Sequence, residues 1–253
     1  VNHPYAEIKN CSSGTSAEQP ITVKQVENNQ SGENSSAAGF AAVNAGSITD
    51  CDVYAKVITE GTYAAGFVLA NCGPVTRCNA VISVKNTNNT AVGFVRENIQ
   101  IIHTIAGKGN SRSEVFEGKG GVMDCRVYSL YRDREKTNIF GAQKAAGFAG
   151  ISANQIYNCS VESSIEVEDS KYNTAGAGFM LTNQGYEGSS YSNSIVTVRT
   201  ADPSRTAEAA GFVYDNQWLI DTSYADCITT AQADRTAKAA GFVLKNGKSE
   251  VTS

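Results

Sequence analysis

The stretch AAGFVLANCGPVTRC (residues 64–78) contains every part of a pattern that recurs along the chain. A glycine precedes a phenylalanine, an asparagine follows four positions later, and an apolar-x-x-Cys pair comes next. The phenylalanine occurs seven times, as Phe40, Phe67, Phe94, Phe148, Phe179, Phe212 and Phe242. The intervals between copies are 27, 27, 54, 31, 33 and 30 residues. This regularity predicts a chain built from stacked copies of one supersecondary unit.

Three residue types keep their place in the repeat. The position before the phenylalanine is glycine in all seven copies, and the fourth position after it is asparagine in six, with Ser152 in the other. Six of the seven cysteines fit the apolar-x-x-Cys slot, in the pairs Ile8/Cys11, Ile48/Cys51, Val75/Cys78, Val122/Cys125, Ile156/Cys159 and Tyr224/Cys227. Ser194 is assigned to the same slot, and only Cys72 lies outside it. Because the 54-residue interval is twice 27, we expect a degenerate copy inside it, at 115–127.

The local pattern indicates an all-β chain. Short apolar runs alternate with Gly, Asn, Ser and Thr, and long amphipathic helix patterns are missing. One unit of about 30 residues cannot bury its apolar side alone, but stacked units share a continuous core in which each position packs on its own copy. We therefore predict a right-handed parallel β-helix (β-solenoid) of about eight coils, 27–33 residues per coil, with ladders of Phe, Cys and Asn. The glycine before each phenylalanine is expected at a tight corner where a side chain would clash.

Residues 1–253 are expected to form this single domain, as an excerpt of a larger protein, with an irregular coil at 99–121 and a loop at 129–144. The net charge of −4 and the absence of a basic block argue against a nucleic-acid partner. No apolar run approaches the ~20 residues that cross a bilayer, so membrane insertion is not expected. The cysteines are expected to be buried thiols, because the geometry between coils suits a disulfide poorly. No metal or cofactor is expected.

One family resemblance rests on the same residues. The copy that opens at Gly66 reads Gly-Phe-Val-x-x-Asn-x-Gly-x-Val-x-x-Cys and resembles the GLUG motif, in which Leu stands at the place of Phe67 and a second glycine at the place of Leu69. Gly150 keeps that second glycine, and Cys often replaces the Ser of the family. The resemblance implies a bacterial secreted or cell-surface protein of the adhesin, extracellular protease or toxin kind. It implies a scaffold role for the repeats and carries over no catalytic residue.

Three functions follow as hypotheses. The first is a structural or adhesive β-helix segment of a larger bacterial secreted or cell-surface protein, with a host-surface protein, a glycan or flanking domains of the same polypeptide as partners. The second is a β-helix module of a delivered toxin or effector. The third is a polysaccharide lyase or glycoside hydrolase, which three or more converging carboxylates or Lys/Arg side chains would favour. Whether the chain is an enzyme is left open, and no residue is assigned a catalytic role.

The candidate binding residues lie in a break of the repeat, because solenoids usually bind through an extended face or through such loops. The densest charge cluster falls in the loop 129–144. Its residues are Arg132, Asp133, Arg134 and Glu135.

Overall fold

The computed structural model describes residues 1–25, 35–105, 113–131, 136–169, 171–247 and 251–252. In these ranges the chain forms strands and turns, and it contains no helix that could cross a membrane. The predicted parallel β-solenoid is confirmed: the strands of the described ranges assemble into four parallel sheets and one antiparallel hairpin. We number the strands in chain order and label the sheets I to IV along a coil, beginning with the sheet that precedes the Gly-Phe pair.

Sheet I precedes the phenylalanine and consists of β4 (Ser36–Ala38), β8 (Tyr63–Ala65), β12 (Thr90–Val92), β19 (Lys144–Ala146), β23 (Thr174–Ala177), β27 (Thr206–Ala210) and β32 (Thr236–Ala240). Sheet II follows it and consists of β5 (Ala41–Asn44), β9 (Val68–Asn71), β13 (Val95–Asn98), β20 (Ala149–Ser152), β24 (Met180–Asn183), β28 (Val213–Asn216) and β33 (Val243–Asn246). A Gly-Phe pair therefore forms the corner between the two sheets in every coil.

Sheet III precedes the cysteine slot and consists of β1 (Glu7–Lys9), β6 (Ser47–Thr49), β10 (Val75–Thr76), β16 (Val122–Met123), β21 (Ile156–Tyr157), β25 (Glu187–Gly188), β29 (Ile220–Asp221) and β34 (Val251–Thr252). Sheet IV follows the slot and consists of β2 (Ser12–Ser13), β3 (Ile21–Gln25), β7 (Asp52–Thr59), β11 (Asn79–Asn86), β17 (Arg126–Ser129), β18 (Ile139–Gly141), β22 (Ser160–Asp169), β26 (Tyr191–Thr200), β30 (Tyr224–Ala225) and β31 (Ile228–Gln232). The hairpin is β14 (Ile101–Ile105) with β15 (Ser113–Glu117).

The phenylalanines form one uninterrupted ladder through the interior. Each ring stacks on the next with centroids 4.5–4.9 Å apart and planes within 14° of parallel. The five central rings are fully buried, at Phe67, Phe94, Phe148, Phe179 and Phe212. Parallel pairing in register places each residue above the equivalent residue of the next coil, at the spacing between strands. A residue that repeats in the sequence therefore forms a column in the structure.

The predicted number of eight coils is wrong, because the ladder from Phe40 to Phe242 makes about six turns. Phe94 stacks directly on Phe148, at 4.9 Å, so the 54-residue interval is one coil and not two. Val122 pairs with Val75 and belongs to the coil of Phe94. The extra length comes from two insertions: the hairpin β14–β15, inside 99–121, and the segment between β17 and β18, inside 129–144.

The first insertion folds back on the solenoid. Ile102 of β14 and Phe116 of β15 are 5% exposed and pack against Cys72, which is fully buried. Burial raises the pKa of the Cys72 thiol. Cys72, which lies outside the repeat slot, is therefore covered by the inserted hairpin.

The cysteine slot was assigned wrongly in the last two coils. Sheet III aligns Ile156 with Glu187, and the amide of Cys159 donates to Ser190 Oγ at 3.1 Å. Ser190 N–H in turn donates to Ser223 Oγ, so Ser190 and Ser223 hold the slot, where Ser194 and Cys227 were predicted. The apolar-x-x-Cys spacing recurs four residues later on sheet IV, which misled the assignment. The ladder holds Cys11, Cys51, Cys78, Cys125 and Cys159, of which all but Cys11 are buried, and all seven cysteines are free.

The asparagine ladder links the coils by side-chain hydrogen bonds. Its bonds are 2.7–3.0 Å long and run Asn2→Asn44, Asn44→Asn71, Asn71→Asn98, Asn98→Ser152, Asn183→Asn216 and Asn216→Asn246. All of these amides from Asn44 to Asn216 are fully buried. Asn44, Asn71, Asn98 and Asn216 each accept from one neighbour and donate to the other. Asn183 donates to Asn216 and accepts from the amide of Gly185 at 3.3 Å. These bonds satisfy polar groups that an apolar core could not.

The residue before the cysteine slot has a left-handed backbone in all seven coils in which the structure describes it. These residues have φ between 49° and 56° and are Asn10, Asp50, Arg77, Asp124, Asn158, Ser189 and Thr222. Asn and Asp tolerate this conformation, whereas a β-branched residue in it is strained.

Replacing Thr222 by Asn is therefore expected to stabilise the protein by about 1 kcal/mol, since the left-handed region costs an ordinary residue roughly 1–2 kcal/mol. Urea unfolding followed by circular dichroism measures the change. The reverse substitution Asn10→Thr, at the same slot, should destabilise by a similar amount. A loss of stability in Thr222→Asn would contradict the prediction.

Candidate binding face

The outer side of sheet IV presents ordered columns of side chains. Its strands β22 and β26 are ten residues long, and burial alternates along β7 and β26, so every second residue points outward. Pairing in register stacks these residues from coil to coil. One outward column is Asp52, Asn79, Arg126, Ser160, Tyr191 and Tyr224; the next is Tyr54, Val81, Tyr128, Glu162 and Asn193. We call this surface the sheet IV face.

Tyrosine rings are spread along the sheet IV face. Tyr191 and Tyr224 stack at 5.2 Å with planes 6° apart, and Tyr224 is 59% exposed. Tyr128 is half-buried, and its hydroxyl accepts a hydrogen bond from Arg126 Nη1 at 3.4 Å. Exposed aromatic rings with a polar tip combine apolar contact area with hydrogen bonding.

A cavity of about 250 Å³ opens on this face and spans three coils. Its lining comprises Tyr128, Ser129, Tyr131, Glu162, Ser163, Ser164, Asn193 and Ile195. It forms where sheet IV is interrupted: β22 pairs with β17 through Glu162 and with β18 from Ile165 onward. The two residues between them have no strand partner on that side. Ser163 Oγ, in a residue 6% exposed, makes no hydrogen bond within the described part of the chain.

A second, shallower cavity of about 450 Å³ shares Tyr128 with the first. Its charged lining residues are Asp52, Arg77, Asp124 and Arg126. Most of these charges are already engaged between coils. Arg77 donates two hydrogen bonds to Asp50, at 2.6 and 2.9 Å, and these lower the pKa of that carboxyl. Asn79 donates to Asp52 at 2.8 Å, and Asn158 donates to Asp124 at 2.6 Å.

The four residues predicted to bind, Arg132, Asp133, Arg134 and Glu135, lie outside the residues that the structure describes. The described ends of that loop reach the first cavity: Tyr131 lines it, and Ser164 Oγ donates to the carbonyl of Lys136. The sequence reasoning missed Tyr128, Glu162 and Asn193. The sequence feature that could have identified them is their position: each lies three residues after the cysteine slot, where the side chain points outward from sheet IV.

The side chains that line the first cavity are chemically suited to a hydroxylated ligand. Ring faces, a carboxylate and an amide converge on one cavity. Within the described ranges, no group of three or more His, Cys, Asp or Glu side chains is placed to hold a metal ion. No protein-family model, curated protein or solved structure matches the chain.

Proposed function

We propose that the chain is a structural and adhesive β-solenoid segment of a larger bacterial secreted or cell-surface protein, and that its sheet IV face binds a glycan on the surface to which that protein adheres. The observation that carries the proposal is the cavity at Tyr128, where aromatic and polar groups from three successive coils converge. The phenylalanine and asparagine ladders support the structural part, because they give a continuously packed shaft. The resemblance to the GLUG motif supports the placement at a bacterial surface.

The chemistry of the cavity favours a sugar over an apolar ligand. A sugar ring has an apolar C–H face, which packs on an aromatic ring, and hydroxyl edges, which need donors and acceptors. Tyr128 and Tyr131 supply the rings, and Glu162 and Asn193 supply the polar partners. An extended chain of sugars could continue across the second cavity, which begins on the other side of Tyr128.

The second cavity favours one alternative, a glycan-cleaving enzyme. Two aspartates and two arginines line it, and the enzyme hypothesis calls for three or more converging carboxylates or Lys/Arg side chains. Against it, Asp52 and Asp124 each accept a hydrogen bond from an asparagine of the next coil, as ladder residues do. A module of a delivered toxin or effector is the other alternative, and the free state of all seven cysteines is compatible with it.

A glycan array probed with the purified chain tests the proposal. The wild type is expected to bind a subset of glycans, and Tyr128→Ala is expected to weaken that binding at least tenfold, about 1.4 kcal/mol, because a central aromatic anchor is lost. Tyr172→Ala is the matched control, since Tyr172 is 50% exposed and lies in neither sheet IV cavity.

Absence of glycan binding by the wild type, or equal binding by Tyr128→Ala, would contradict the proposal. Incubation with acidic polysaccharides separates the enzymatic alternative. Release of new chain ends that is lost in Asp52→Asn would support cleavage in place of adhesion.

A further inference from the structure

The interior of one coil is polar at positions that are mostly apolar in the coil before it. In the coil of Phe179, four consecutive inward positions on sheets III and IV carry polar side chains, all at most 3% exposed. The preceding coil has Ile156, Cys159, Val161 and Ser163 at these positions, and this coil has Glu187, Ser190, Ser192 and Ser194. We call the second set the polar cluster. Three apolar side chains are thus replaced together, which marks a built feature of this coil.

Glu187 is the one ionisable member of the polar cluster. Its side chain is fully buried between Ile156 and Ile220, its register partners in sheet III, which are also fully buried. Neither carboxyl oxygen receives a hydrogen bond within the described residues. The hydroxyls beside it are committed elsewhere, since Ser190 Oγ donates to the carbonyl of Gly188 at 3.1 Å and Ser223 Oγ to that of Asp221 at 3.0 Å. An isolated carboxylate in such surroundings is far costlier than a neutral carboxyl group.

The titratable groups near Glu187 do not compensate for a negative charge. Asp221, on the adjoining strand β29, carries a carboxyl group, Tyr157 and Tyr186 carry phenol groups, and Cys159 is buried. Among the described residues, none of the groups that shift the pKa of Glu187 is a cation. Burial raises that pKa from 4.5 to about 7. The Ser190 and Ser223 side chains lower it, and the charge of Asp221 adds a smaller increase.

We propose that Glu187 is protonated in the folded solenoid at acidic pH and that its ionisation loosens the coil of Phe179 at alkaline pH, which makes the C-terminal coils a pH-sensitive element. The sign follows from linkage. The folded carboxyl holds its proton to higher pH than the unfolded one, so stability is greatest below pH 4.5, falls as the pH rises to about 7, and is constant above. Between pH 5 and 8 the equilibrium constant for opening should rise on the order of 100-fold.

Amide hydrogen exchange at pH 5 and pH 8, corrected for intrinsic rates, tests the proposal. The informative amides are those of Glu187 and Ser189, which donate to Leu219 and Asp221 carbonyls at 3.1 and 3.0 Å. In the wild type their protection should fall on the order of 100-fold from pH 5 to pH 8. In Glu187→Gln the fall should disappear, because the ionisable group is gone.

Glu208→Gln is the matched control. Glu208 is also buried, at 7% exposure, but it is held as a carboxylate. Burial opposes its ionisation, yet hydrogen bonds from Tyr214, Lys238 and Lys245 outweigh it and lower its pKa to about 2. It does not titrate between pH 5 and 8, so Glu208→Gln should keep the pH dependence of the wild type.

Two results would overturn the proposal. One is a Glu187→Gln variant with the pH dependence of the wild type. The other is restoration of wild-type protection at pH 8 by Na⁺, K⁺ or Ca²⁺ but not in the variant, which would show a cation site in place of a proton site. If Glu187→Gln does not fold, the side-chain carboxyl ¹³C resonance of wild-type Glu187 gives the answer, and titration near 4.5 would exclude the proposal.

Discussion

Gly147→Ala is expected to destabilise the solenoid by more than about 3 kcal/mol. Gly147 precedes Phe148 at the corner between sheets I and II. A Cβ atom there would lie 2.1 Å from the carbonyl oxygen of Gly178 in the next coil and 2.8 Å from Val161 Cγ2. The nearer contact is with backbone, so no change of rotamer relieves it, and the two coils must separate. Urea unfolding followed by circular dichroism measures the loss.

The end of the same column supplies the control. Gly241 occupies the equivalent position in the last coil, and an added Cβ would meet nothing within 4 Å. Gly241→Ala should therefore change stability by no more than about 0.5 kcal/mol, the range of an ordinary surface substitution. Equal effects of the two substitutions would show that close stacking of the corner glycines is not what requires them.

The ladders could be predicted from the sequence because their physical cause repeats. Each coil repeats the same three features: a corner that admits only glycine, a ring that stacks on the equivalent ring of the next coil, and a polar side chain that bonds to its equivalent. These residues therefore recur at fixed spacings in the sequence. Gly147 and Phe148 are one such pair. The number of coils could not be read in the same way, since offsets count residues and not turns. An interval of 54 residues fits two plain coils as well as one coil with two insertions.

The candidate site left no comparable signal. Packing in the interior does not constrain the identity of the outward residues of sheet IV. One column can therefore contain Asp52, Asn79 and Arg126 in succession. The cavity also depends on the residue at which the chain rejoins sheet IV after its second insertion, which is Ile139. No repeated spacing in the sequence predicts that residue. Glu187 is different. With Ser190 in its correct slot, a carboxyl group in a column of Ile and Val is visible in the sequence.

Phe148→Ala is expected to cost about 3–5 kcal/mol. The ring is fully buried and stacks on both sides, at 4.9 Å from Phe94 and 4.9 Å from Phe179. Its removal leaves a cavity in the middle of the column and breaks two stacking contacts at once. Because each coil contacts only its neighbours, the damage falls on the junction between the two halves of the stack. Thermal unfolding should therefore split into two transitions where the wild type shows one.

Phe242→Ala tests whether the loss comes from the ladder or from the ring alone. Phe242 is half-buried in the last coil and stacks only on Phe212, at 4.9 Å. With one stacking partner and less burial, it should cost no more than about half as much as Phe148→Ala and should leave a single transition. Phe148→Leu should recover most of the loss, since it restores apolar volume without the ring. If Phe148→Ala and Phe242→Ala destabilise equally, stability is not transmitted from coil to coil through the phenylalanine column, and each coil must be held mainly by its backbone ladders.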